Sequence, residues 1–141
     1  MTLEPILQRI KNEIKKDFSH IHPIDRPGLA VIINTEDESS INFANIIKTD
    51  CEEVNFNWFS ININSSTEKS YITDAITEYE EMEDVTIVLV LCPLPNKLKI
   101  SELGLIKYDK LNSICSSNRS TFGTRLGILN IIKDTYNANK K

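Results

Sequence analysis

Two short, almost unbroken apolar runs constrain the fold of this 141-residue chain more than any other feature. The runs extend from Gly28 to Ile33 and from Val85 to Leu91, with Pro27 before the first and Pro93 after the second. A strand that is apolar on both faces has to be covered on both faces, which is typical of a parallel sheet between two layers of helices. The sequence therefore predicts an α/β fold around a small, mainly parallel sheet.

Amphipathic segments lie before, between and after these runs. Apolar residues recur in them at three- and four-residue steps, which predicts four helices. The helices are expected from Leu3 (capped by Thr2) to a point before Phe18, from Asp37 or Ser39 to about Val54, from a Thr67 cap to Tyr79 or Met82, and from Gly123 or Thr124 to about Tyr136. A partly alternating strand is expected from Phe56 to Ile63, and a short helix from Ser101 to Ile106, followed by a polar loop. Together they predict a three-layer αβα fold with one domain over residues 1–136 and a polar tail over 137–141.

Composition limits the classes of function. Apolar residues make up 40% of the chain and charged residues 26%, which indicates one globular domain. The net charge of −4 gives no general basic surface, so nucleic acid is not an expected partner. No apolar run is long enough to cross a bilayer and the N-terminus lacks a secretory pattern, so a cytoplasmic protein without a membrane partner is expected.

Metal and thiol chemistry find little support in the sequence. The three cysteines, Cys51, Cys92 and Cys115, are far apart and form no Cys-x-x-Cys pair. His20 and His22 are close together but lack further ligands at metal-binding spacing. We therefore expect no metal site, and Cys51 and Cys92 are interpreted as small core residues. Residues 121–125 could begin a helix that binds an anion, although a simple helix cap is the commoner case.

Several local motifs, in order, resemble one enzyme family. They are Pro27-Gly28-Leu29-Ala30-Val31-Ile32, the Asp37-x-x-Ser40 turn, Cys51-Glu52-Glu53-Val54, Pro93-Leu94-Pro95, and the pair Thr124 and Gly127. Their order and spacing resemble the amino-terminal folate-binding domain of the bifunctional methylenetetrahydrofolate dehydrogenase/methenyltetrahydrofolate cyclohydrolase family. In that family a Rossmann domain carrying NAD(P) follows. No Gly-x-Gly-x-x-Gly motif is present here, so NAD(P) is not an expected cofactor.

The resemblance fails at the positions that carry the family's proton chemistry. Phe43 occupies the position of its tyrosine, and Ile47 that of its lysine, four residues later on the same helix. Leu91 occupies the position of its glutamine, and Ser113 falls near its aspartate. Proton transfer needs an acid or base within hydrogen-bond reach of the reacting group. The resemblance with these departures therefore predicts a catalytically inactive relative, a pseudoenzyme, that acts through ligand binding or protein assembly.

A folate-like small molecule, such as tetrahydrofolate, is the ligand that the resemblance implies. The residues expected around it are Phe43, Ile47, Lys48, Leu91, Pro93, Leu94 and Pro95. Periodicity alone favours a plainer interpretation, in which Phe43 and Ile47 belong to an ordinary core stripe.

Two alternatives remain open at this point. An active cyclohydrolase of one-carbon metabolism could use Lys48 or Asp109 in a rearranged site. A scaffold or subunit-interface module would instead expose a contiguous apolar patch to a protein partner, for which Trp58, Phe59 and Tyr71 are the candidates.

Overall fold

The computed structural model of the protein describes residues 4–103, 111–114 and 121–139. Its helices and strands, in chain order, are α1 (Glu4–Phe18), β1 (Gly28–Asn34), α2 (Glu38–Glu53), β2 (Asn57–Ile63), α3 (Lys69–Glu81), β3 (Ile87–Leu91), β4 (Leu111–Ile114) and α4 (Thr121–Asn139). Short 3-10 helices cover Pro23–Asp25, Pro95–Lys97 and Ile100–Leu103. Within these described ranges, no helix combines the length and apolar character that a membrane crossing requires.

The four strands form one parallel sheet in the order β2-β1-β3-β4. Val31 in β1 is in register with Ser60 of β2 on one side and with Leu89 of β3 on the other. All seven residues of β1 and all five of β3 are buried, because both strands are central and covered on both faces. The predicted α/β fold with a small parallel sheet is confirmed.

Alternate residues of the central strands belong to two separate hydrophobic clusters, one on each face of the sheet. On one face, Leu29 and Leu89 pack with apolar residues of α1, α2 and α4. On the other face, Ala30 and Val88 pack with apolar residues of α3 and of the Ile100–Leu103 turn. This division follows from the two-residue period of a strand. The predicted three-layer αβα arrangement is thereby confirmed.

Four predicted helix boundaries differ from the structure. Thr67 does not cap α3, because its hydroxyl accepts a hydrogen bond from the Asn64 amide and closes the preceding turn. Helix α4 begins at Thr121 instead of Gly123 or Thr124, and it continues through Asn139, so the start of the predicted tail is helical. Helix α1 includes Phe18, one residue beyond its predicted end.

The segment before α4 was also predicted wrongly in part. A strand, β4, lies where the sequence predicted a polar loop, and Ser113 in it is in register with Val90 of β3. The strand is only four residues long, so pairing with β3 determines its conformation more than any local pattern. The predicted helix from Ser101 to Ile106 is a 3-10 helix over Ile100–Leu103, and its last residues fall outside the described part of the chain.

The three predicted patch residues do not form one surface. Trp58 packs against the cluster on the α1 and α2 side, whereas Phe59 packs on the α3 side, because neighbouring strand residues point to opposite faces. Tyr71 is 54% exposed and lies on α3. The prediction of a single patch from these residues was wrong, although Phe59 and Tyr71 share one side of the sheet.

Substitution of Gly28 tests the close approach between the start of β1 and the backbone of Asp84. A methyl group at Gly28 would lie 1.9 Å from the backbone oxygen of Asp84, whereas one at Gly127 in α4 would meet nothing within 4 Å. We expect Gly28→Ala to lower the free energy of unfolding by about 1–3 kcal/mol, because the backbone has to move. The matched control, Gly127→Ala, should raise it by about 0.5–1 kcal/mol through helix propensity. Urea denaturation measures both changes, and equal stability of the two variants would contradict the packing described at Gly28.

Candidate functional site

Helix α2 carries the positions at which the sequence predicted a lost catalytic pair. The Asp37 carboxylate caps its first turn, accepting hydrogen bonds from the Ser40 amide at 3.0 Å and the Ser40 hydroxyl at 2.6 Å. The helix ends at Glu53 with Val54 as its C-cap, and Asn55 follows with a φ of 65°, a left-handed conformation that asparagine adopts more readily than most residues. Of the two predicted caps, Asp37 and Ser39, the structure has Asp37, and the predicted end at about Val54 is confirmed to within one residue.

Phe43, Ile47 and Leu91 lie together, but inside the core. Their exposed fractions are 5%, 1% and 0%, and all three belong to the cluster between the sheet and helices α1, α2 and α4. The face of α2 where the resemblance implied a tyrosine and a lysine is therefore an apolar packing surface. A phenyl ring and a branched alkyl chain have no group that gives or takes a proton.

Lys48 lies on a different side of α2. It is exposed, whereas Ile47 beside it is buried. One step along a helix turns the side chain by about 100°, which accounts for the contrast. The structure therefore does not bring Lys48 together with the Phe43, Ile47 and Leu91 cluster.

The residues after β3 divide between surface and core. Pro93 follows a cis Cys92–Pro93 bond and is exposed, and its carbonyl oxygen accepts a hydrogen bond from the Asn34 side chain at 3.0 Å. Leu94 is buried in the cluster on the α3 side, away from Phe43, and Pro95 is buried as well. Among the predicted lining residues, Phe43, Ile47 and Leu91 thus lie on one face of the sheet and Leu94 lies on the other.

The loops that follow β1, β2 and β3 are hydrogen-bonded to one another near Pro93. They lie at the carboxyl ends of the parallel strands, which we call the carboxyl edge of the sheet. The Glu36 carboxylate accepts hydrogen bonds from the Ser65 amide at 3.0 Å and the Ser65 hydroxyl at 2.7 Å. The Asn96 side chain donates to the Ser65 carbonyl at 2.9 Å. Together with the contact between Asn34 and Pro93, these bonds connect the loops after β1, β2 and β3. Ligands of open α/β sheets bind at this edge, so these loops form the remaining candidate ligand site.

A buried ionic cluster on α2 was missed by the sequence analysis. Asp50 has no exposed surface, and its carboxylate lies 2.6 Å from the Lys11 amine of α1. Arg125 of α4 donates two hydrogen bonds to the same carboxylate, both at 2.8 Å. Glu53 approaches the Lys11 amine at 3.3 Å from a position near the surface. One carboxylate thus joins three helices, and we call Lys11, Asp50 and Arg125 the Asp50 cluster.

The two cations keep Asp50 ionised. Burial alone raises the pKa of Asp50 and is the largest single effect, but hydrogen bonds from Arg125 and Lys11, with their charges, outweigh it. The pKa therefore lies below its ordinary value of 3.8. A buried charge of this kind is tolerated only when it is paired and hydrogen-bonded. The Asp50 cluster is accordingly closed and structural, and its groups are already engaged with one another.

A signal for this cluster is present in the sequence. Lys11 lies between Leu7 and Ile14 on the buried stripe of α1, and Asp50 lies beside Cys51 on the buried stripe of α2. A charged residue within an apolar stripe indicates a buried partner of opposite charge. Because α1 and α2 each carry one charged residue on the buried stripe, and the two charges are opposite, the sequence could have predicted an ion pair between Lys11 and Asp50. The contribution of Arg125 has no comparable local signal.

The cysteine and histidine side chains that the structure describes do not form a reactive or metal-binding group. Cys51 is fully buried, and burial raises the pKa of its thiol, which disfavours the reactive thiolate. The His22 ring accepts a hydrogen bond from the Ile24 amide at 3.3 Å in an exposed turn. In the part of the chain that the structure describes, no group of three or more metal-ligating side chains converges. Asp109 lies outside that part.

Comparison with known proteins identifies a sequence family. Residues 1–110 match the sequence model of the family described as tetrahydrofolate dehydrogenase/cyclohydrolase, catalytic domain. Among curated relatives, Bifunctional protein FolD 1 of Haloarcula marismortui is 32% identical over 74 residues, which cover 52% of this chain and 25% of that protein. Bifunctional protein FolD of Legionella pneumophila strain Paris is 26% identical over 102 residues, covering 71% of this chain and 35% of the relative. The matches therefore span about a quarter to a third of these relatives.

Solved structures show the same fold. The methylenetetrahydrofolate dehydrogenase-cyclohydrolase of Trypanosoma brucei, solved with NADP cofactor and inhibitor, has a TM-score of 0.65 and 18% identity, covering 70% of this chain and 34% of that one. The bifunctional enzyme FolD of Campylobacter jejuni has a TM-score of 0.63 and 20% identity, covering 70% and 36%. At these identities the likeness establishes the fold alone.

Removal of the Asp50 charge tests the Asp50 cluster. We expect Asp50→Asn to lower the free energy of unfolding by about 3–5 kcal/mol, because two cations at the core lose their counter-charge. The control, Glu53→Gln, should change it by about 0–1 kcal/mol, since Glu53 is 40% exposed. Urea denaturation followed by circular dichroism measures both. A loss below about 1 kcal/mol for Asp50→Asn would contradict the central role of this carboxylate.

The pH dependence of Asp50 provides a second test. Its pKa is lower in the folded chain than in the unfolded chain, so its contribution to stability is complete above pH 3.8 and is lost as the pH falls through the folded pKa. Carbon-13 NMR of the carboxyl groups should show Asp50 titrating below 3.8 in the folded protein. Titration at or above that value would contradict the pairing with Lys11 and Arg125.

Proposed function

Because this chain belongs to the tetrahydrofolate dehydrogenase/cyclohydrolase catalytic-domain family, we propose that it keeps the fold of that domain without its proton-transfer chemistry. It acts through binding of a folate-like ligand or through protein assembly. The observation that carries this proposal is the burial of Ile47, which is 1% exposed and packs against apolar residues of the core.

The packing of α2 explains why the chemistry would be absent. General acid–base catalysis contributes about 10²–10⁴ in rate and requires a titratable group within hydrogen-bond reach of the substrate. Phe43 and Ile47 supply no such group, and both have only a few per cent of their surface exposed. Substrate would have to displace part of the core to reach them.

A rearranged site based on Lys48 finds no support in this geometry. Lys48 and Asp50 lie about 200° apart around the axis of α2, because each residue advances the helix by about 100°. Turning Lys48 toward the sheet would therefore carry Asp50 away from Lys11 and Arg125. The turn would break a salt bridge and two hydrogen bonds to a fully buried carboxylate. Exposure of Lys48 is the arrangement that keeps these contacts.

A folate-like ligand would contact the carboxyl edge of the sheet. Pro93 is exposed there, and the loop that carries it is held by the Asn34 side chain. Phe43, in contrast, faces the core and offers little surface for stacking. The proposed ligand therefore lies over the loop after β3, whose Leu94 is anchored in the cluster on the α3 side.

An assay of methenyltetrahydrofolate hydrolysis tests the loss of catalysis. We expect the purified protein to leave the hydrolysis rate at the level of buffer, and Lys48→Ala to leave it unchanged. Absorbance of the methenyl group follows the reaction. Hydrolysis above the buffer rate that Lys48→Ala abolishes would support the rearranged enzyme and overturn this proposal.

Calorimetry with tetrahydrofolate tests the ligand and its position. We expect measurable binding that Pro93→Glu weakens by about tenfold, because a carboxylate would replace an apolar contact. Phe43→Leu should lower stability by about 1 kcal/mol and leave the affinity within about twofold, because Phe43 packs in the core. Absence of binding would remove the ligand from the proposal. A tenfold loss with Phe43→Leu would instead place the ligand against α2.

A further inference from the structure

Strand β2 has an outer edge to which no described residue pairs. It is the first strand in the sheet order and contacts β1 on one side only. The Asn57 amide donates to the Pro27 carbonyl, and the Ile63 carbonyl accepts from the Thr35 amide, so the odd-numbered residues direct their backbone groups toward β1. Successive residues of a strand direct these groups to opposite edges. The backbone groups of Trp58, Ser60 and Asn62 therefore face outward.

This edge lacks the usual protection against pairing. Native proteins protect exposed edge strands with charged residues, proline or bulges. The sequence of β2, Asn57–Ile63, contains neither a charged residue nor a proline, although 26% of the chain is charged. Its seven residues pair with β1 in continuous register, without a bulge. An unprotected strand of this length is a template for another strand.

A groove with acidic and aromatic walls runs beside this edge. It has a volume of about 310 Å³ and is lined by Ile61, Tyr71, Asp74, Ala75, Glu78 and Tyr79. We call it the β2–α3 groove. Phe59 lies next to one of the lining residues, since the centroids of the Phe59 and Tyr79 rings are 6.3 Å apart. Asp74 and Glu78 are exposed and lie one helical turn apart on α3.

The charge around the groove favours a basic occupant. Residues 68–84 contain seven acidic residues and one lysine, a net charge of −6, whereas the whole chain carries −4. The negative charge is therefore concentrated on the side of the molecule where the groove lies. Aromatic rings beside carboxylates also suit the alkyl stem and cationic head of lysine or arginine. A second copy of this chain would bring an equally acidic α3 to the same edge.

We propose that β2 and the β2–α3 groove together bind an extended, lysine- or arginine-bearing segment of another protein, which adds to the sheet as a fifth strand. Outward backbone groups of β2 would hydrogen-bond the segment, and alternate cationic side chains would reach Asp74 and Glu78. This inference goes beyond the proposed function, because neither the α2 stripe nor the loop at Pro93 contributes to the groove.

Fluorescence anisotropy with a short labelled peptide of alternating lysine and valine, blocked at both ends, tests this surface. We expect it to bind, and its counterpart with glutamate in place of lysine not to bind. The double variant Asp74→Lys/Glu78→Lys should weaken binding by about tenfold or more through charge reversal. The control Glu13→Lys/Asp17→Lys makes the same change in net charge on α1, beyond the opposite face of the sheet, and should alter binding by about twofold or less.

Strand addition itself is tested at Ser60. Ser60→Pro removes the outward amide from the middle of β2 and leaves its neighbours' bonds to β1 in place, so binding should fall by about tenfold. Ser60→Ala retains the amide and should bind as the native protein does. Circular dichroism and thermal unfolding establish that each variant is folded. Unchanged binding by Ser60→Pro, or an equal loss in both charge variants, would overturn the proposal. A dimer that Ser60→Pro dissociates would also overturn it, because a second copy would then occupy the edge.

Discussion

The ion pairing of Asp50 with Lys11 and Arg125 is the interaction on which the arrangement of the helical layer depends. A carboxylate with no exposed surface requires its partners, so α1, α2 and α4 have to be placed and rotated to supply them. Phe43 lies two helical turns before Asp50 and therefore on the same side of α2. The rotation that satisfies Asp50 thus also buries Phe43 and Ile47.

This constraint connects the fold to the proposed loss of proton-transfer chemistry. The family fold supplies a parallel sheet with a ligand edge at the carboxyl ends of its strands. In this chain the buried residues Phe43 and Ile47 of α2 are packed in the core, and polar groups of the loops after the strands bond to one another. Asn34 bonds to the loop at Pro93, and Glu36 bonds to Ser65. The proposed result is a surface that can hold a ligand or a partner, while Phe43 and Ile47 offer it no titratable group.

Sequence patterns predicted the central architecture and missed features that depend on tertiary contacts. The runs in β1 and β3 were recognised because a strand covered on both faces is apolar at every position. Strand β4 was missed, since its four residues acquire their conformation by pairing with β3. The pattern around Thr67 does not distinguish a helix cap from a turn, because a threonine hydroxyl can serve either, and here it bonds within the preceding turn. The partnership of Asp50 with Arg125 joins residues 75 positions apart, which no local periodicity reveals.

The rate at which single introduced thiols react tests the central claim, that the inner stripe of α2 is sealed within the core. Ile47→Cys and Lys48→Cys would be treated with a thiol reagent under native conditions, and peptide mass spectrometry would follow each new site. We expect rapid labelling at position 48, and at position 47 labelling only as fast as the whole protein unfolds. Rapid labelling at position 47 would show that this face of α2 lines an open cleft, and it would rule out the burial of Ile47 on which the proposed loss of catalysis rests.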